Sequence, residues 1–400
     1  MSDATYRPRV LMLSGPVEPP WTRSDKNLVR SLANNLERYR PRVLTHIGGP
    51  STLRPHVETE PAWGARADRR TPVGRRIGLF GQLLGETDAD LVHLCWPADV
   101  LVSTVVKAAC RARNLPLVHS LVRAPRTTLG IHRTVASDHV VCLSQETERR
   151  LHREGLHGAV WIPPGVERAE ETSESQREMT KARLGLPQGV PLIIYAGDYV
   201  HAYAARTVAA TVPRVIRQAN AHFVMACRIR DPSERSEERR LREALFADGL
   251  ASHVSFLNEV DDFGSLLSAA DIQIFPADSA NQRLDMPMVL LEGLMRETAT
   301  VVANKPPFGE LVAPGAAIGV PSMNPVSLAF AIVELLRDPK RRRELAKAGQ
   351  AVVERQFDIR AVARQYEELY DRVLRTRRRQ PTRTDRLWDA AGAVLERVGG

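Results

Sequence analysis

The sequence predicts an α/β protein built from two Rossmann-like, doubly wound parallel-sheet domains in tandem. Three observations carry this. Short apolar runs alternate with helical periods along the chain, the pattern of strands buried on both faces and joined by helices. The alternation stops at Pro163-Pro164-Gly165, crosses a polar stretch from Glu167 to Lys181, and restarts at Leu192. The chain has 400 residues, more than one core usually organises.

In order, Arg9–Ser14 reads as an apolar strand ending at Gly15-Pro16. Ser24 and Asp25 then open a helix whose apolar face runs Leu28, Leu32, Leu36. Further strands are expected at 42–46, 90–96, 115–122, 139–144 and 159–162, with helices at 99–113 and 144–154. After the break, strands fall at 192–197, 222–228, 253–257, 271–275, 300–303 and 317–320, and helices at 204–218, 234–247, 284–296 and 325–337. Two more helices, 339–356 and 359–376, precede a basic tail. The first domain is therefore placed at 1–165, a linker at 166–190, the second domain at 191–356, a closing helix at 357–376 and the tail at 377–400.

Hydrophobic residues make up 43% of the chain and aromatics 5%, which fits a folded α/β protein. No run approaches the ~18–20 apolar residues of a membrane-spanning helix. The first residues hold no apolar signal core, so export is not expected. Cys95, Cys110, Cys142 and Cys227 are widely spaced and read as buried, reduced thiols, giving a cytoplasmic expectation.

The net charge of +9 is concentrated in two segments, 65–84 and 375–400, each carrying +4. Each also holds apolar residues, and a basic face beside an apolar stripe suits an anionic membrane surface. The plain alternative is an exposed arginine-rich loop and a frayed tail. No helix-turn-helix, finger or aromatic stacking pattern accompanies the charge, so nucleic acid is not expected as a partner.

The segment Leu284–Gly293 is the most informative for function. Pro287 suits a first helical turn, an apolar run follows, and Glu292 is the lone carboxylate within it. A helix mouth at the end of a parallel sheet is an anion site, and a carboxylate two turns in, leaning back toward that mouth, can bind ribose hydroxyls. Ligands in such sheets sit at the carboxyl ends of strands. That rule selects Gly15, His93 to Trp96, His119-Ser120 and Ser144 in the first domain, and Gly197-Asp198, Arg228, Glu259, Asp278 and Asn304-Lys305 in the second. Asp88-Ala89-Asp90 has the look of a metal-binding pair but precedes its strand, on the wrong side of the sheet, so no metal role is assigned.

Several ordered segments resemble the GT-B retaining glycosyltransferases of glycosyltransferase family 4. They are Val141–Ser144, Trp161–Glu167, Tyr195–Gly197, Ala270–Pro276, Leu290–Met295, Gly309–Val312 and Arg355–Tyr370. The resemblance implies an interdomain cleft, a closing helix that crosses back onto the first domain, a nucleotide-diphosphate sugar as donor, retention of configuration, and no metal or other cofactor. It implies a ribose role for Glu292 and contact of His119 with the donor sugar; together with the strand-end rule it gives a donor pocket of Gly15, Gly197, Arg228, Asp285, Met286, Pro287 and Glu292. His93 and Ser144 become acceptor-side candidates. The chain departs from the family where an arginine and a lysine usually cradle the phosphates, having Asp198 and Tyr203. It also departs where the donor helix carries its first glutamate, having Leu284 with Asp285 beside it.

Arg228, Arg230 or Arg206 can replace the missing cations, with Lys305 a fainter candidate. Against these roles stand plain alternatives: Asp285 as a helix N-cap, His119 as a structural histidine, and Arg228 and Arg230 as solvated partners of the acidic run Glu234 to Glu238. Nothing identifies the acceptor; the basic–apolar segments point to a lipid-linked one. A second class of reading is a GT-B protein that binds without catalysis, as partner to an active enzyme.

Overall fold

The computed structural model describes residues 6–21, 23–48, 53–64, 73–279 and 284–379. The first domain runs β1 (Arg9–Leu13), α1 (Ser24–Asn35), β2 (Arg40–His46), β3 (Glu58–Trp63), α2 (Val73–Glu86), β4 (Leu91–Trp96), α3 (Val100–Ala112), β5 (Leu117–Leu121), β6 (His139–Cys142), α4 (Gln145–Arg153) and β7 (Ala159–Trp161). Its sheet is parallel throughout, in the order β3-β2-β1-β4-β5-β6-β7.

The second domain runs α5 (Glu174–Arg183), β8 (Leu192–Gly197), α6 (Ala204–Ile216), β9 (His222–Cys227), α7 (Pro232–Ala247), β10 (Val254–Phe256), α8 (Phe263–Ala269), β11 (Ile272–Phe275), α9 (Met288–Met295), β12 (Ala299–Ala303), β13 (Ile318–Val320), α10 (Pro325–Arg337) and α11 (Pro339–Gln356). Its parallel sheet has the order β10-β9-β8-β11-β12-β13. Strand order reverses at β1/β4 in one sheet and at β8/β11 in the other, which opens a crevice at the carboxyl ends of each. Helices cover both faces, so the central strands are largely buried; all five residues of β5 are buried.

Three elements escape the sequence pattern. β3 is an edge strand with polar residues and Pro61, and only Trp63 of it is buried. α5 lies inside the stretch expected to be a linker. It is started by a Ser173/Gln176 capping box, and Arg177 reaches the Ala270 carbonyl at 3.0 Å. α8 is a helix of seven residues, too short to show a period.

The two chain crossings between the domains are stitched together. Val166 N donates to Phe357 O at 2.8 Å, and Ile359 N donates to Val166 O at 3.1 Å. Gly165 makes this possible, since a Cβ there would stand 2.8 Å from Ile359 Cα. Beyond it, α12 (Ile359–Arg379) returns to the first domain. Glu367 on α12 accepts from the backbone N–H groups of Glu37 and Arg38, and Asp371 accepts from Tyr39 Oη at 2.6 Å.

The basic–apolar reading of 65–84 changes on folding. Residues 65–72 lie outside the described residues, but the stripe on α2 is core: Phe80 and Leu84 are fully buried, and Phe80 packs edge-on against Trp63 and Trp96. Residues 380–400 of the tail also lie outside the described residues. Among the described residues no helix is long and apolar enough to cross a membrane. Asp88 pairs with Arg9 and Arg42, and Asp90 accepts from Tyr6 and the Arg9 amide at the amino edge of the sheet. All four cysteines are buried and unbridged.

Candidate active site

A cleft of about 550 Å³ opens between the two sheets, in the size range of small-ligand sites. The first domain supplies Ser14–Pro16 after β1, Arg23–Lys26 at the start of α1, Arg76 on α2, Cys95–Asp99 around the end of β4, and Val122-Arg123 after β5. The second domain supplies His201 after β8, Arg228 and Arg230 after β9, and Leu284. Most of these follow a strand's carboxyl end. Six basic side chains thus face only Asp25 and Asp99 among the lining residues.

Some of this charge is answered locally. Arg23 Nε donates to Asp25 Oδ1 at 3.0 Å, and Asp99 spends its carboxylate capping α3 through Val102 N. Arg230 stands 2.8 Å from Asp198 Oδ1, so a cation sits beside the position where the resemblance lacked one. Arg206 is committed to Glu237 by two bonds, at 2.5 and 2.9 Å, and Lys305 to Asp278 at 2.7 Å. Neither is therefore a replacement phosphate ligand here. Arg228 lines the cleft.

The sequence candidates separate into those the fold brings to the cleft and those it does not. Gly15 and Arg228 line it, and a Cβ at Gly15 would meet no atom within 4 Å, so the missing side chain is open room. Gly197 is spent otherwise. The Tyr195 ring folds under it, where a Cβ would collide with the phenol hydroxyl, and that hydroxyl bonds both the N–H and the C=O of Asp198.

His119 corrects to a structural residue. It lies in mid-strand, fully buried; Nδ1 accepts from Ala136 N at 3.1 Å, which leaves Nε2 to donate to the Trp96 carbonyl at 3.1 Å. Burial lowers its pKa to about 4. His93 is likewise fully buried, with Nε2 2.7 Å from Ser120 Oγ and Nδ1 2.7 Å from Tyr370 Oη on α12. Burial lowers its pKa to about 3. It anchors the crossing helix rather than facing an acceptor.

Asp285 and Ser144 also correct. The N-cap of α9 is Pro287, not Asp285. The Asp285 carboxylate, 1% exposed, accepts from Ser144 Oγ at 2.8 Å and Thr147 Oγ1 at 3.0 Å across the domain boundary. Ser144 Oγ in turn caps α4 through Thr147 N. Glu310 accepts from the Gln145 and Glu146 amides at 3.1 and 2.8 Å, so the α4 N-terminus already holds the protein's own carboxylate. Burial raises the carboxyl pKa of both Asp285 and Glu310.

Helix α9 begins at Met288, which puts Glu292 little more than one turn in rather than two. No side chain caps its first turn. Met286 and Pro287 are buried behind that turn, and Glu292 is partly buried, outside the lining of the cleft. Burial raises its carboxyl pKa, opposed by Arg296 and by Arg30 of the first domain and reinforced by Glu167.

The sequence reading missed Lys26, Arg76, Arg123 and Trp63. For Arg123 a signal is present: the expected strand runs to Val122, so the same strand-end rule, carried one residue further, selects it instead of His119.

The fold and cleft define a two-domain GT-B protein. Residues 190–338 match the family model described as Glycosyl transferases group 1. The chain is 30% identical over 141 residues to a phosphatidyl-myo-inositol mannosyltransferase of Mycobacterium leprae, covering 35% of this chain and 36% of that one. It is 26% identical over 230 residues to a GDP-mannose-dependent monoacylated alpha-(1-6)-phosphatidylinositol monomannoside mannosyltransferase of Corynebacterium glutamicum, covering 55% and 58% of the two chains. The chain thus spans between about a third and just over half of these relatives' lengths. Among solved structures, sucrose-phosphate synthase from Thermosynechococcus elongatus superposes with a TM-score of 0.75 at 18% identity, over 92% of this chain and 100% of that one.

Proposed function

We propose that this protein transfers a sugar from a nucleotide-diphosphate donor to a hydroxyl acceptor in the interdomain cleft, retaining the anomeric configuration and using no metal ion. The observation that carries the reading is the cleft: six basic side chains at the facing edges of two sheets, one wall belonging to a group 1 domain. Negative charge builds on the leaving diphosphate as the sugar gains oxocarbenium character. Arg228 and the uncapped first turn of α9 meet that charge, which is the main source of rate in such a site. The family resemblance assigns the ribose hydroxyls to Glu292, which stands on α9 outside the cleft lining. The acceptor hydroxyl attacks from the leaving group's side and passes its proton to a phosphate oxygen, so no protein nucleophile is required.

The names of the two relatives put GDP-mannose first among donors and a lipid-linked hydroxyl first among acceptors. With the α2 stripe packed into the core, attraction to an anionic membrane rests on the arginines of 65–84 and 375–400. Flotation with anionic vesicles is expected for the full chain and weakened on deleting 375–400.

A panel of UDP-, GDP- and dTDP-sugars tests the central reading. Thermal stabilisation by one nucleotide, with slow donor hydrolysis unaffected by EDTA, is the expected result. The second reading, a GT-B binding protein without catalysis, has one observation in its favour: Asp198 and Tyr203 stand where the family's phosphate-binding cations are usual. Absence of any nucleotide effect would decide for it.

A further inference from the structure

Charge on the first-domain wall exceeds what the donor-domain chemistry uses. Lys26 from α1, Arg76 from α2 and Arg123 after β5 come from three separate elements and meet on that wall. Arg76 lies over the Trp96 ring, 5.9 Å from its centroid. Among the described residues, neither Lys26 nor Arg123 has a carboxylate at ion-pair distance; the Lys26 ammonium reaches only the Glu18 carbonyl, at 3.2 Å.

The cluster is costly as it stands. Burial disfavours the charged form of Arg123, with Asp25 opposing and the guanidiniums of Arg23, Arg230 and Arg76 adding repulsion. Lys26 is disfavoured by burial and then by Arg23 and Arg228, with Glu18 and Asp25 opposing. Gathering half-buried like charges costs free energy unless an anion joins them.

We propose that this wall is a second anion site, separate from the donor diphosphate, and that the acceptor carries a phosphate group held there by Arg123, Lys26 and Arg76. The proposal rests on the glycosyltransferase reading, which gives the donor to the second domain and so leaves the opposite wall to the other substrate. Arginine at such a wall grips a phosphate with two parallel N–H bonds. A phosphorylated soluble polyol and a phospholipid headgroup share this chemistry.

The test measures binding of inorganic phosphate to the full chain, at constant ionic strength, with the preferred nucleoside diphosphate already saturating. Phosphate should still bind. Arg123→Gln should weaken phosphate by about tenfold or more, the loss of a charge-assisted hydrogen bond, while nucleotide affinity holds. Arg123→Lys should recover part of the loss, which separates a lost charge from a damaged fold. Arg228→Ala should do the reverse, losing nucleotide and keeping phosphate.

Phosphate that fails to bind once nucleotide is present would overturn the second site. So would an Arg123→Gln protein that loses nucleotide affinity, since the wall would then serve the donor. A wild-type chain that binds phosphate but no nucleotide would sink the glycosyltransferase reading and leave the anion site standing. Displacement of phosphate by glycerol 3-phosphate supports a soluble acceptor. Displacement only by phosphatidylcholine vesicles containing phosphatidylinositol, and not by phosphatidylcholine alone, supports a lipid one. Displacement by neither overturns the assignment to an acceptor.

Discussion

The Asp285 carboxylate of the second domain and the Ser144 hydroxyl of the first are 2.8 Å apart, hydrogen-bonded across the domain boundary and buried. Thr147 adds a second bond to the same carboxylate at 3.0 Å, and Glu310 caps the adjoining helix end beside them. Two acidic side chains of one domain thus hold the N-terminus of α4 in the other.

Asp285→Ala is expected to loosen this contact. Hydrogen bonds to a charged group contribute roughly 1.5–3 kcal/mol each, so the closed arrangement should weaken by that order. Small-angle scattering should report a larger radius of gyration. A double-mutant cycle with Ser144→Ala should show coupling of about 1–2 kcal/mol; additive effects would mean that the two residues do not act together.

Glu292→Gln should separate function from stability. Burial raises the Glu292 carboxyl pKa, so the folded chain favours the protonated form. For an acid so shifted, stability is fullest at low pH and is lost as pH rises through the folded pKa. A neutral amide removes that loss, and the variant should melt at a higher temperature at neutral pH. Nucleotide affinity should nevertheless fall, and unchanged affinity would dismiss the ribose role.

His93 and His119 should set an acid limit. Their pKa values fall to about 3 and about 4, so both are neutral in the fold. A depressed histidine pKa gives stability that is present above the unfolded value, about 6.5, and is lost as pH falls toward the folded one. Each site should cost at most roughly 1.4 kcal/mol per pH unit through that window. Denaturant titrations from pH 7 to 5 should show the decline, flattened in His93→Gln; an equal slope in the variant would reject the assignment.

Gly165→Ala should be costly where Gly15→Ala is not. A Cβ at 165 would stand 2.8 Å from Ile359 Cα, while one at 15 meets nothing within 4 Å. Overpacking of this kind costs about 1–3 kcal/mol, readable by chemical denaturation. Gly15→Ala should leave the melting temperature unchanged and act on ligand affinity alone.

Much of the fold was legible because strands covered on both faces must be apolar and helices must repeat at their own period. The helix expected at 325–337 lies at those residues. β3 was not legible, because an edge strand needs only one buried residue, Trp63. α5 was not legible either, because its cover comes from long polar side chains such as Lys181, buried with its ammonium bonded to Glu178 and to the Val190 carbonyl.

The sequence by itself determined the two tandem parallel sheets, the break after Gly165, and the strand ends that line the cleft. Tertiary structure decided which side chains arrive there. Strand register turns every second residue away from a given face, so His119 is buried in mid-strand while Arg123, beyond the strand end, reaches the cleft. Packing of distant segments decided the rest: α12 arrives from the far end of the chain to claim His93, and Asp285 crosses the domain boundary to claim Ser144. Local periodicity is written in neighbouring residues; the partner that satisfies a buried polar group is not.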